Sequence, residues 1–377
     1  MNRWIHSPVF DGALIVGPAV VSALAVLLLP SLQAVRTPPW GWLLFVVGVD
    51  VTHVWSSLYR TYLDPDEFRR RHRRYLLTPL ACFGAGVALY SLGSLVFWRV
   101  LAYLAVLHFV RQQYGFVMVY RHRAGERGGA DAVLDKAAIY ASMLYPLAYW
   151  HATPGRVFEW FVPGDFLTLP GWTAGVAGLL YGAVLAAFAA RQVQRALRGE
   201  PVSWGKIGIV ASTAATWYIG IVALNSDFAF TVTNVVAHGV PYMALVWLYG
   251  RRKWAGERSW RTALHRPGLV SAFVGLALLL AYLEEGAWDA LVWREHGVFF
   301  GGLQLAFPDA LLVLVVPALI LPQATHYVLD AWIWKFDGSN PGLREYLFGW
   351  GPRDGPQTPT RSEPRRRSRR GPRSRCA

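Results

Sequence analysis

Long apolar runs recur along this chain, and each is close to the length that crosses a bilayer. A helical span needs about 20 mostly apolar residues to cover a hydrocarbon core of about 30 Å. Ten candidates stand at roughly 12–30, 41–60, 75–93, 97–120, 134–152, 171–190, 206–224, 228–250, 268–286 and 309–334. The composition agrees: 54% of residues are hydrophobic and 16% charged, where a soluble domain would carry about a quarter charged. The fold class implied is all-α, a polytopic integral membrane helical bundle of about ten transmembrane helices. The first run is long for a signal segment and has no small-residue cleavage site after it, so it reads as a retained helix.

The gaps between the runs set the orientation. Lys and Arg concentrate on the cytoplasmic side of membrane proteins. With the N-terminus inside, the inside segments hold 32 Lys and Arg and the outside segments 3; the remaining two, Arg99 and Arg111, fall within a run. Both termini are therefore expected in the cytoplasm, most simply that of a bacterium with the bundle in its inner membrane. The formal net charge of +14 does not imply nucleic acid, because the basic residues sit in the gaps. Residues 1–335 are expected to form the transmembrane domain. Residues 336–377, rich in Pro, Arg and Ser, read as a disordered basic cytoplasmic tail. The two cysteines, Cys82 and Cys376, support neither a disulfide framework nor a cysteine metal site.

Of ten histidines, four lie inside runs, one each on the second, fourth, eighth and tenth: His53, His108, His238 and His326. The other six fall in or beside gaps and read as surface or interface residues. Counting back from the first cytoplasmic basic residue, His53 lies 7 positions before Arg60, His108 13 before Arg121, His238 13 before Arg251 and His326 9 before Lys335. At 1.5 Å per residue this places all four at depths of about 10–20 Å, so they can share one layer. A single histidine in a membrane helix is as readily a packing group as a ligand; four at similar depth point to a shared site, since ionisable groups inside membranes are functional by default.

Each histidine has polar company at helical spacing. Asp50 precedes His53, Asn234 precedes His238, Gln323 precedes and Asp330 follows His326, and Arg111 and Gln112 follow His108. A metal-bound imidazole usually passes its second N–H to a carboxylate or carbonyl, which casts Asp50, Asn234 and Asp330 as orienting groups. Arg111 would hold a substrate charge or pair with Asp50 or Asp330. Pro241, three past His238, removes one helix hydrogen bond and is a candidate kink. Imidazole suits iron, zinc and copper. Iron with open positions would serve oxygen chemistry on a lipid-soluble small molecule reached from membrane lipids; zinc would favour hydrolysis. A carrier or channel using intramembrane His, Asp and Arg groups, or a non-catalytic membrane scaffold, are the alternatives.

Single dispersed histidines with "LHF" at 107–109, "AHG" at 237–239 and "THYVLD" at 325–330 resemble the Brp/Blh family of membrane β-carotene dioxygenases. The resemblance implies a histidine-held iron and oxygen-dependent cleavage of a central carotenoid double bond to give retinal. Two motifs depart: the family's Pro-His-Gly opening is "VDVTHVWSS" here, and its His-Phe-Gly followed by Asp is "HFVRQQYGF". Only the possibility of one iron shared by His53, His108, His238 and His326 carries over.

Overall fold

A computed structural model describes residues 4–349 except 127, 157, 158, 306 and 307. No strand occurs among them. In chain order the main helices are α1 (Pro8–Leu28), α2 (Pro39–Arg60), α3 (Pro65–Ser91), α4 (Ser94–Arg123), α5 (Ala130–Ala152), α6 (Trp172–Leu197), α7 (Trp204–Ala223), α8 (Asp227–Lys253), α9 (Pro267–Trp293), α10 (Asp309–Leu319), α11 (Leu321–Ile333) and α12 (Leu343–Phe348). Their starts follow local chemistry. Ser7, Asp64 and Ser226 each accept from the backbone N–H three residues on, at 3.1, 3.1 and 3.0 Å, and Pro8 and Pro65 occupy first helical positions that need no donor.

Each predicted run coincides with a helix, the tenth with α10 and α11 together. The count of ten spans is not what composition supports. Among the described residues seven helices (α1, α2, α4, α6, α7, α8 and α9) are long and apolar enough to cross a membrane, and α10 with α11, bent by 45°, would make an eighth. α3 begins ten residues before the predicted run and takes the basic stretch 69–74 into its first half, while α5 opens on Asp131, Asp135 and Lys136. α9 runs past residue 286 to Trp293, and a short helix, Gly297–Phe300, follows it.

α8 forms the axis. It is buried along most of its length and packs against α1, α2, α4, α7 and α12. α6 sits at the periphery on α5, with Leu179, Leu180 and Leu197 exposed as a lipid-facing helix would have them. The chain stays ordered after α11: Leu343, Leu347 and Phe348 of α12 are buried against α8. The tail expected from residue 336 is therefore folded to 349, and 350–377 lie outside the described residues.

Candidate metal centre

Four helices converge on one point. α2 packs on α8, α8 on α4, α4 on α11 and α11 on α2, closing a ring. Each contributes one buried imidazole: His53, His238, His108 and His326. The ring centroids of His53 lie 4.6, 5.1 and 6.5 Å from those of His238, His326 and His108, and His108 lies 5.1 Å from His238 and 4.7 Å from His326.

Three features bring the rings this close. Gly239 follows His238 where α8 meets α2. A Cβ there would stand 2.8 Å from Val49 Cγ1 and 3.4 Å from His53 Cβ, so glycine lets the two backbones approach. Pro241 lacks the N–H that would bond the Ala237 carbonyl, yet α8 passes through it unbroken. Gln113 Nε2 donates to the Ala237 carbonyl at 3.2 Å and Gln112 Nε2 to the His238 carbonyl at 2.9 Å, so α4 supplies the donors and is held beside the site. Residues Trp42–Val51 of α2 are wound as a π-helix, and the Thr52 hydroxyl donates to the Val47 carbonyl at 2.7 Å. Such widened turns are frequent at functional sites, and this one leads into His53.

The nitrogens of His53, His108 and His326 lie within 4.8 Å of one another, and the His108 and His326 Nε2 atoms are 3.2 Å apart. Two ligands about 2.1 Å from one metal stand about 3.0–3.4 Å apart at right-angled or tetrahedral geometry. A shared proton also satisfies the His108–His326 pair, but nothing satisfies the rest. Both nitrogens of His53, both of His238 and Nδ1 of His326 are buried without hydrogen-bond partners. Buried polar atoms are normally paired, and the unpaired nitrogens of His53, beside the close His108–His326 pair, fit a cation held by one nitrogen from each ring. His238 stands apart from the triad: its ring stacks on Phe109 at 3.7 Å and faces the others edge-on.

The expected orienting groups behave differently from one another. Asp50 Oδ1 faces His53 Nδ1 at 3.5 Å, the nearest approach to the predicted pairing. Asp330 does not bond His326; its Oδ1 accepts from Tyr242 Oη and Trp334 Nε1, both at 2.8 Å. Asn234 does not bond His238; its Nδ2 donates to the Phe230 carbonyl at 3.1 Å, and its Oδ1 is unpaired. Gln323 Nε2 donates to Tyr327 Oη at 2.7 Å. Arg111 is exposed, with no ion pair to Asp50, Asp330 or any other described residue. Aromatic plates orient the rings instead: Tyr327 stacks on His108 at 4.6 Å, and Tyr242 lies edge-on to His53 and His326 at 5.6 and 5.2 Å. Most of these polar groups are taken by partners one turn away along the same chain, Trp334 for Asp330, Tyr327 for Gln323 and the Phe230 carbonyl for Asn234, and Tyr242 alone reaches in from a neighbouring helix.

Sequence reading passed over Glu284 and Glu285, carboxylates inside the ninth run, although an acidic pair within "AYLEEGAW" is a legible signal. Trp55 Nε1, two residues past His53, donates to Glu284 Oε2 at 2.6 Å, and α9 packs along this part of α2. Phe109, Tyr242 and Tyr327 were not assigned as ring supports, because an aromatic residue in an apolar run carries no mark of what it will stack on.

His108 also forms part of the wall of a cavity of about 1120 Å³ between α3, α4, α8 and α11. The wall is chiefly apolar, with Phe97, Leu101 and Leu104 toward one end and His122 and Lys335 toward the other. Tyr327, Tyr242 and Arg111 complete it beside the histidine.

The histidine-bearing helices are locked in register beyond the site. Arg60, seven residues past His53, donates to the carbonyl of Ile333, seven past His326, at 3.1 Å. Its guanidinium is buried, lies 3.3 Å from Glu67 and covers the Tyr249 ring of α8 at 4.4 Å. Glu67 also pairs with Arg70 and Arg71 and accepts from Tyr75 Oη at 2.8 Å. Burial pushes the Glu67 carboxyl up, but the Arg60 charge, the Tyr75 hydrogen bond and the Arg71 and Arg70 charges outweigh it and hold it below the usual range.

Comparison with known proteins returns nothing on which to lean: no family model, no curated protein and no solved structure matches the chain.

Proposed function

We propose that this protein is a metal-dependent integral membrane enzyme, an iron oxygenase acting on a lipid-soluble substrate, with both termini in the cytoplasm of a bacterial cell. The observation that carries the reading is the convergence of three buried imidazoles, their nitrogens within 4.8 Å of one another, of which His108 also lines a largely apolar cavity of about 1120 Å³. His53, His108 and His326 would hold the metal, with His238 beside them as an outer group stacked on Phe109. Bound iron would supply dioxygen activation. The protein's own share is to seat an apolar chain against His108, to keep bulk water out with the α4 and α11 walls, and to fix the imidazoles through Tyr327, Tyr242 and Phe109. Imidazole donors accommodate zinc as well; iron is preferred because the cavity selects an apolar molecule, for which oxidation is the natural chemistry. The orientation rests on the 32-to-3 distribution of Lys and Arg counted over ten alternating runs. The likeness to membrane β-carotene dioxygenases makes carotenoids one class to screen.

Elemental analysis of detergent-purified protein tests the reading. Stoichiometric iron in the wild type, lost when His108 and His326 are both replaced by alanine, is the expected result. Stoichiometric zinc lost in the same way would replace oxygenation by hydrolysis or a structural site. A folded protein without metal would end the metalloenzyme reading and return the function to a carrier.

A further inference from the structure

Arg111 is the odd residue of this cavity. It follows His108 by three positions on the same face of α4, is exposed, and lines the cavity without an ion pair or hydrogen bond among the described residues. The two carboxylates expected to neutralise it are engaged elsewhere: Asp330 accepts from Tyr242 and Trp334, and Asp50 faces His53. The remaining cavity carboxylate, Asp337, lies beside Lys335 at the far end. Ten residues separate Arg111 from Arg121, so the guanidinium stems from a point about 15 Å short of the basic end of α4. Helical side chains lean toward the N-terminus of their helix, which tilts Arg111 toward His108 and away from that basic end. An arginine at such depth is costly without an anion, and the described residues offer none.

We infer that the anion is the substrate's own, and that the cavity takes a long-chain amphiphile with a carboxylate head. This deepens the reading above by naming the substrate class, and it rests on that reading for the chemistry at His108. Arg111 grips the head in a charge-assisted, two-pronged hydrogen bond. The chain then runs past His108 and along Leu104 and Leu101 toward Phe97. Fourteen residues of α4 separate Arg111 from Phe97, about 21 Å of apolar wall. The head is anchored one helical turn from His108, so the carbons presented to that imidazole are those nearest the head, and a neutral hydrocarbon of equal length lacks the anchor.

Binding of radiolabelled palmitate to detergent-solubilised protein, stripped of metal with EDTA, tests this apart from any catalysis. The expected result is saturable binding that weakens about tenfold or more in Arg111→Gln and is largely kept in Arg111→Lys. Unlabelled hexadecan-1-ol should compete at least about tenfold more weakly than palmitate against the wild type, and palmitate should lose that advantage in Arg111→Gln. Equal palmitate affinity in wild type and Arg111→Gln overturns the inference, as does hexadecanol matching palmitate. Displacement of palmitate by equimolar dipalmitoylphosphatidylglycerol overturns it too, because Arg111 would then serve headgroup phosphate. Metal content is read separately: Arg111-dependent palmitate binding by a protein that takes up no metal keeps the inference and ends the metalloenzyme reading.

Discussion

The Nε2 atoms of His108 and His326 meet at 3.2 Å although 218 positions separate the residues in the chain. The contact joins α4 to α11, and His53 brings α2 to the same point. Since His238 stacks on Phe109 and lies outside the closest triad, the four imidazoles should not be equivalent. Single alanine variants at His53, His108 and His326 should each abolish stoichiometric metal, whereas His238→Ala should weaken affinity by about 10–100-fold, as an outer group does. Competition with a graded series of chelators measures this. Equal losses at all four positions would put His238 in the primary ligand set.

Gly239 should matter as much as a ligand. Its missing side chain lets α2 reach α8, with Val49 Cγ1 2.8 Å from where a Cβ would stand. Gly239→Ala must push α2 outward and carry His53 with it. The expected effect is a destabilisation of about 1–3 kcal/mol together with weakened metal binding. A variant that keeps wild-type melting temperature and metal content would show that α2 yields freely.

The glutamines of α4 offer a test that a ligand variant cannot. Gln113 and Gln112 bond the carbonyls of Ala237 and His238 near Pro241. Gln113→Leu leaves the Ala237 carbonyl buried and unsatisfied, which costs about 1–3 kcal/mol. Pro241→Ala restores an N–H four residues on, so the double variant should recover much of the loss in detergent unfolding. Additive destabilisation would mean that Pro241 is held for another reason.

Glu67 predicts an acid limb. Its folded-state pKa lies below the ordinary value of 4.5, so its contribution is present above that value and is lost as pH falls through the folded pKa. Wild-type melting temperature should drop below about pH 4.5. Glu67→Gln strands a buried Arg60 and should cost about 3–5 kcal/mol at neutral pH. Its stability should then vary less across the acid range, and because Arg60 registers α2 against α11, metal affinity should fall with it. An acid limb as steep as wild type in this variant would assign it to other carboxylates.

The sequence by itself determined the helices. Apolar runs of bilayer length can be read without knowing their neighbours, so the helical bundle and the four histidines within its runs were legible from the sequence. Length alone did not settle which helices are apolar enough to cross: α3 and α5 carry charge into their first turns, and α10 and α11 break near Ile320 and Pro322. Which of several possible partners each polar group took was not legible, and tertiary structure decided the inter-helical ones. Helical spacing put Asp330 beside His326 but equally beside Trp334, and Tyr242 of α8 with Trp334 claimed its carboxylate. It put Asn234 beside His238, yet backbone and Phe109 took over those roles. A helix's own periodicity fixes which face a residue occupies. Only the packing of α2, α4, α8 and α11 into a closed ring fixes what that face meets, because hydrogen bonds and ring contacts act over a few ångströms between residues the chain keeps far apart.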